Sequence, residues 1–145
     1  MDSKLKYQDL IDSFNFRANC PNGASILVEE RLSYRWCLAP IDNELNFLPN
    51  HIYDEAKGPP PRKNVSADEN CSRCGLSFFT TLDSAKTIFN KYPKRIRGLL
   101  GYSHIAEGFI DNKDGLVKDD KDVHFSLFEF EGVELIKKFT IVDEL

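Results

Sequence analysis

The stretch from Cys71 to Ala85 constrains the fold more than any other part of the chain. Gly75 breaks the local pattern, and Leu76-Ser-Phe-Phe79 is a short apolar run of the kind that forms a strand covered on both faces. Thr80 or Thr81 can cap a following helix. Thr80 with Asp83 three residues later fits a box in which a hydroxyl and a carboxylate satisfy the first free N–H groups. Leu82, Ala85, Ile88 and Phe89 then make one apolar stripe at helical spacing, and Pro93 ends it. A strand that turns through a cap into an amphipathic helix needs a sheet for the helix to lie on.

The rest of the chain supplies that sheet. Leu32 to Leu38 alternates, with Leu32, Tyr34, Trp36 and Leu38 on one face and Ser33, Arg35 and Cys37 on the other. His124 to Glu131 alternates as well, with Phe125, Leu127, Glu129 and Glu131 on one side. Further strands are expected at Ser25–Glu29, at Tyr102–Asp111 with Gly108 marking a bulge, and at Phe139–Val142. Lys113-Asp-Gly115 is a hairpin-type turn signal, followed by a charged loop from Val117 to Asp122. Asn19 to Gly23 reads as a turn, and Gly132 to Lys138 as a short helical or turn link. Tyr7, Leu10, Ile11 and Phe14 predict an amphipathic first helix from about Ser3 to Phe14.

From residue 41 to 70 the periodicity dissolves. Leu45, Phe47, Leu48, Ile52 and Tyr53 can dock a short helix or turn, and Lys57 to Lys63 is a proline-stiffened loop. The expectation is an α+β fold in a single domain over residues 1–145. It has a mainly antiparallel sheet of five or six strands, a central packed helix, an N-terminal helix and a long irregular segment at about 41–70.

Composition limits the function classes. A chain of 145 residues that is 41% hydrophobic, with 11 Phe, carries enough apolar surface for a packed core. Its net charge of −4 lacks the basic field through which nucleic-acid domains gather affinity from phosphates. The Lys91–Arg97 cluster reads as a solvated helix end. No apolar run reaches signal-peptide or membrane-spanning length. The reading is a cytoplasmic protein with no nucleic-acid or membrane partner, whose partner is a protein or a small molecule. In a reducing compartment the cysteines are expected as thiols or metal ligands. Phosphate loops, Gly-rich dinucleotide fingerprints, H-E-x-x-H and EF-hand strings are absent from the sequence.

Cys71-x-x-Cys74 can supply two thiolates to one zinc ion, and tetrahedral zinc needs four ligands. Cys20 and Cys37 can complete an all-cysteine set, with His51 as a further candidate. A redox role needs a low-pKa thiolate at a helix N-terminus, and Cys74 is followed instead by Gly75 and a strand. His104 and His124 fall on predicted strands where they could face each other, and Ser126 shares the face of His124.

Arg35 on an early strand, Phe79-Thr-Thr81 at the strand-to-helix corner and Glu129-x-Glu131 on a late strand resemble the scattered motifs of ADP-ribosyltransferases. The resemblance implies an NAD-binding domain. Arg35 would hold the pyrophosphate, Thr80 and Thr81 would shape the pocket, Glu129 would position the acceptor, and Glu131 would stabilise the cation formed as nicotinamide leaves. The usual Ser-Thr-Ser serine is missing unless Thr80 or Ser77 replaces it. The Gly75–Ala85 segment is also similar to one in uncharacterised small bacterial proteins, a likeness that implies no activity. The other reading is a non-catalytic interaction module stabilised by cysteine-bound zinc.

Overall fold

In the computed structural model of the chain, residues 4–16, 19–60 and 64–145 are described, all but Lys121 with their side chains. Six strands form one antiparallel sheet: β1 (Arg31–Cys37), β2 (Leu76–Phe79), β3 (His104–Ile110), β4 (Gly115–Lys121), β5 (His124–Glu129) and β6 (Phe139–Glu144). Their spatial order is β4-β5-β2-β1-β3-β6. Five helices accompany them among the described residues: α1 (Gln8–Ser13), α2 (Asn50–Ala56), α3 (Ala67–Ser72), α4 (Leu82–Lys91) and α5 (Lys94–Leu100). The fold is α+β with the sheet dominant, as the alternating patterns require.

The corner built from β2 and α4 forms as its residues dictate. Leu76, Phe78 and Phe79 are buried, and α4 begins at Leu82. Of the two threonines expected as the cap, Thr81 fills the role: its hydroxyl accepts from the Ser84 backbone N–H at 3.0 Å, so the box of Thr80 with Asp83 is not the one used. Ala85 and Phe89 are buried, with Leu82 and Ile88 packed beside them against Tyr34, Phe79 and Ile105. Trp36 ties helix to sheet. Its indole N–H donates to the Ala85 carbonyl at 2.8 Å, and its ring meets those of Phe79, Phe89, Tyr92 and Tyr102.

The opposite face of the sheet carries a second core of Cys37, Leu76, Phe78, Ala106, Ile110, Val117, Phe125, Leu127, Leu135 and Phe139. Chain segments rather than a helix close it: Tyr7, Leu27, Ile41, Phe47 and Val133 pack over it. The two faces of β1 are thus both covered, so its polar set of Ser33, Arg35 and Cys37 is at least as buried as its apolar set.

Several expectations are corrected. The N-terminal helix is shorter than the periodicity predicts, because residues 4–6 extend along the end of β5: Leu5 bridges Phe130, and the Lys6 N–H donates to the Glu129 carbonyl at 2.8 Å. Ser3, the expected start of that helix, lies outside the described residues, as do Pro61–Lys63 of the proline loop. Ser25–Glu29 contributes one bridge, Ser25 to Val117, and no strand. The charged run after Gly115 is the edge strand β4, not a loop. The irregular segment contains α2 and α3, and α5 follows Pro93. Gly108 marks no bulge; the register shift falls between Ile105 and Ala106 where they pair with β6. Gly108 is required for another reason. A Cβ there would lie 2.5 Å from the Lys138 carbonyl oxygen and 2.8 Å from the Phe139 ring.

A candidate binding cavity at the end of β5

β1 and β2 pair at one register position, Tyr34 with Phe79. Beyond it they part, and the start of α2 lies along β2: Asn50 N–H donates to the Gly75 carbonyl, His51 N–H to the Arg73 carbonyl, and the Asn50 amide to the Ser77 hydroxyl. Arg35 fills the gap. Its Nη1 donates to the Ser77 carbonyl at 2.8 Å and its Nη2 to the Leu48 carbonyl at 2.9 Å, with the guanidinium 5.4 Å from the Phe78 ring centroid. Arg35 is 3% exposed, and desolvation lowers its pKa, opposed by the field of Tyr102 and Glu129. The fork that was to grip a pyrophosphate is spent on two backbone carbonyls.

Glu129 ends β5 on the same face and is 2% exposed. Lys6 donates to its Oε2 at 2.7 Å and to the Val133 carbonyl at 2.5 Å. Burial raises the Glu129 pKa above the usual carboxylate value, with the Lys6 ammonium pulling it back. Burial and the Glu129 charge also push the Tyr7 hydroxyl up to about 12. Two buried polar atoms on this face have no hydrogen-bond partner among the described residues: Nε of Arg35 and Oε1 of Glu129.

Beside Glu129 lies a cavity of about 450 Å³. Residues 42–44, 46 and 47 line it from one segment of the chain and residues 133–137 from another, and Lys6, bonded to Glu129 and the Val133 carbonyl, completes the lining. Asn46 holds the first of these segments in place. Its Oδ1 accepts from Leu38 N–H at 2.8 Å, while its Nδ2 donates to the carbonyls of Leu38 at 2.8 Å, Ile41 at 3.0 Å and Pro40 at 3.3 Å. A side-chain amide that closes a loop in this way offers no periodic signal, so neither Asn46 nor Lys6 stands out in the sequence. Of the lining residues, Asn46, Glu129 and Leu135 are buried, Phe47 and Val133 are half-buried, and Asp42, Glu44, Glu134, Ile136 and Lys137 are exposed.

The other expected site residues are dispersed. Glu131 lies past the end of β5 and is exposed, its N–H donating to the Lys4 carbonyl. Thr80 is half-buried and its N–H donates to the Val123 carbonyl, while Thr81 is the α4 cap. Of the residues assigned to NAD, Glu129 alone lines this cavity. His104 and His124 do not face each other, because β1 and β2 stand between their strands.

The four cysteines do not form the expected zinc set. Cys20 is joined to Cys71 by a disulfide, and Cys37 and Cys74 are buried thiols. Cys37 belongs to the core on one face of the sheet, whereas Cys71 and Cys74 share a cluster with Ile11 and Phe128. Burial raises both free thiols to about 11. His51 is engaged elsewhere, with Nε2 3.0 Å from the Asn70 carbonyl oxygen and its ring against Phe14. Among the described residues no group of three or more His, Cys, Asp or Glu side chains is arranged to hold a metal ion. Disulfides persist chiefly in oxidising compartments, so the bond counts against four thiols in a reducing cytoplasm. No helix among the described residues is long and apolar enough to cross a membrane. Compared with known protein families, curated proteins and solved structures, the chain matches none.

Proposed function

We propose that this protein is a non-catalytic binding domain whose ligand enters the cavity beside Glu129. The observation that carries this reading is the buried Glu129 carboxylate on the cavity lining, with one oxygen held by Lys6 and the other without a donor among the described residues. The cavity is an open groove of about 450 Å³, with room for a small molecule. The interaction-module reading keeps its support without zinc, because the Cys20–Cys71 disulfide anchors the residues around both cysteines.

The NAD-consuming alternative has less support, since Arg35 is committed to the Ser77 and Leu48 carbonyls and Glu131 lies out on the surface. Amide chemical-shift mapping with a fragment set, run alongside NAD, separates the two. A binding domain gives saturable shifts confined to residues 6, 42–47, 129 and 133–137, and leaves NAD intact. Shifts around Thr80, Thr81 and Glu131 on adding NAD, with nicotinamide released, would overturn the proposal in favour of an ADP-ribosyltransferase-like enzyme.

A further inference from the structure

The two edges of the sheet differ. At the β4 edge, Ser25 exchanges both backbone hydrogen bonds with Val117, and the charged run that follows carries the Arg31–Asp119 and Lys118–Asp68 ion pairs. Charges and a covering segment of this kind keep an edge from pairing with another chain. Over its first four residues β6 has neither. It pairs with β3 on one side, and among the described residues no backbone hydrogen bond from another segment reaches its other side. Phe139-Thr-Ile-Val142 is uncharged, and Thr140 and Val142 are exposed, Val142 at 43%. Such an edge presents a row of N–H and C=O groups to one more strand.

We propose that this edge pairs with the same edge of a second copy of the chain, the two β6 strands running antiparallel about Thr140 and joining two sheets into one. The occupant is a second copy because the strand is complementary to itself. Lys137 and Lys138 stand at its start and Asp143 and Glu144 at its end, so antiparallel alignment sets the basic start of one copy beside the acidic end of the other. Lys138 and Asp143 keep Asp114 and Lys86 as their own partners. Glu144 is exposed with no ion-pair partner among the described residues, and Lys137 holds only the exposed Glu134, a surface pair worth little and easily exchanged. Lys137 can therefore turn to Glu144 of the partner subunit. A centre on Thr140 also matches the faces of the two sheets. Phe139 and Ile141 both pack into the core that Cys37, Phe78 and Phe125 build, and this register sets them opposite one another. The register shift does not interrupt it, since β6 pairs with β3 without a break over residues 139–141. A twofold contact of this kind closes at two subunits. One strand pair is a small interface, so the dimer is reversible.

The test is sedimentation velocity of the intact, non-reduced protein over a concentration series from about 1 μM to about 1 mM. The expected result is a monomer–dimer equilibrium, with amide exchange at residues 139–142 slowing as the dimer forms. Val142→Lys at the exposed edge should weaken the dimer roughly tenfold or more, while circular dichroism and melting stay those of the wild type. Charge reversal gives an independent reading that a folding defect cannot imitate. Lys137→Glu should weaken the dimer several-fold, as should Glu144→Lys. The double variant Lys137→Glu/Glu144→Lys should restore it, because both ends are then reversed in each subunit. A chain that stays monomeric throughout the series overturns the proposal, whether or not β6 accepts a strand from some other protein. So does a dimer that Val142→Lys and the single reversals leave unchanged, or one that the double variant weakens further than either single reversal.

Discussion

Arg35 and Glu129 are ionisable residues on one face of the sheet, brought there by strand order rather than by either strand's own alternation. The tertiary environment assigns Arg35 a structural task, closing the gap between β1 and β2 by donating to two backbone carbonyls. Arg35→Ala is therefore expected to lower unfolding free energy by about 3–5 kcal/mol, read from urea denaturation, because it leaves the Ser77 and Leu48 carbonyls without these donors and empties the space the guanidinium fills. Arg35→Lys should recover little of this, since a lysine amine cannot reproduce the planar fork. Glu131→Gln at an exposed position should stay within about 0.5 kcal/mol of wild type. A ligand-binding arginine would give the reverse pattern, with stability kept and binding lost.

At the scale of elements, the long and periodic segments were legible and the short ones were not. α4 carries a cap, a stripe and a proline stop, each a local signal. Thr81→Ala should cost about 1 kcal/mol by thermal or urea denaturation, whereas Thr80→Ala, which removes no cap, should cost clearly less. Helices α2, α3 and α5 have six or seven residues each, too few to be stable without tertiary support. Tyr53 illustrates that support: it is 1% exposed, donates through its hydroxyl to the Leu100 carbonyl and stacks on Tyr102 at 4.6 Å. β4 was hidden by its charges, which suit an edge strand because they discourage pairing with another chain. Gly108 was legible as special but for a mistaken reason. Gly108→Ala should destabilise by about 1–3 kcal/mol and loosen β6 first, seen as faster amide exchange at residues 139–144, because its Cβ would collide with the Lys138 carbonyl.

Across the whole molecule, the Cys20–Cys71 bond links positions 51 residues apart and joins the N-terminal segment to α3. Its removal in a Cys20→Ser/Cys71→Ser variant should lower stability by about 2–4 kcal/mol through the larger freedom of the unfolded chain. Thiol titration checks the pairing directly. Denatured, non-reduced protein should release two reactive thiols per chain, Cys37 and Cys74, and reduced protein four. Both buried thiols have pKa values raised from 9.0 to about 11. Their contribution to stability is therefore full below about pH 9 and is lost as pH rises through about 11, because the unfolded chain gives up those protons first. A denaturation series in which stability rises over that interval would contradict the burial of Cys37 and Cys74.

What this sequence determined by itself was local and periodic. Alternation over residues 32–38 and 124–131 placed two strands to within a residue or two of their observed ends and sorted their faces, and the 81–93 stretch placed one helix between its cap and its stop. Those patterns depend on residues a few positions apart, so the chain carries them openly. The cavity and the disulfide depend on residues far apart, Lys6 with Glu129 and Cys20 with Cys71. A cysteine string such as Cys71-x-x-Cys74 cannot say whether its partner lies three residues away or 51, because loop closure costs grow only slowly with length. Nor could the sequence tell a ligand-binding arginine from one that bridges two carbonyls. That choice was made by the parting of β1 from β2, a property of the packed sheet and of no single segment within it.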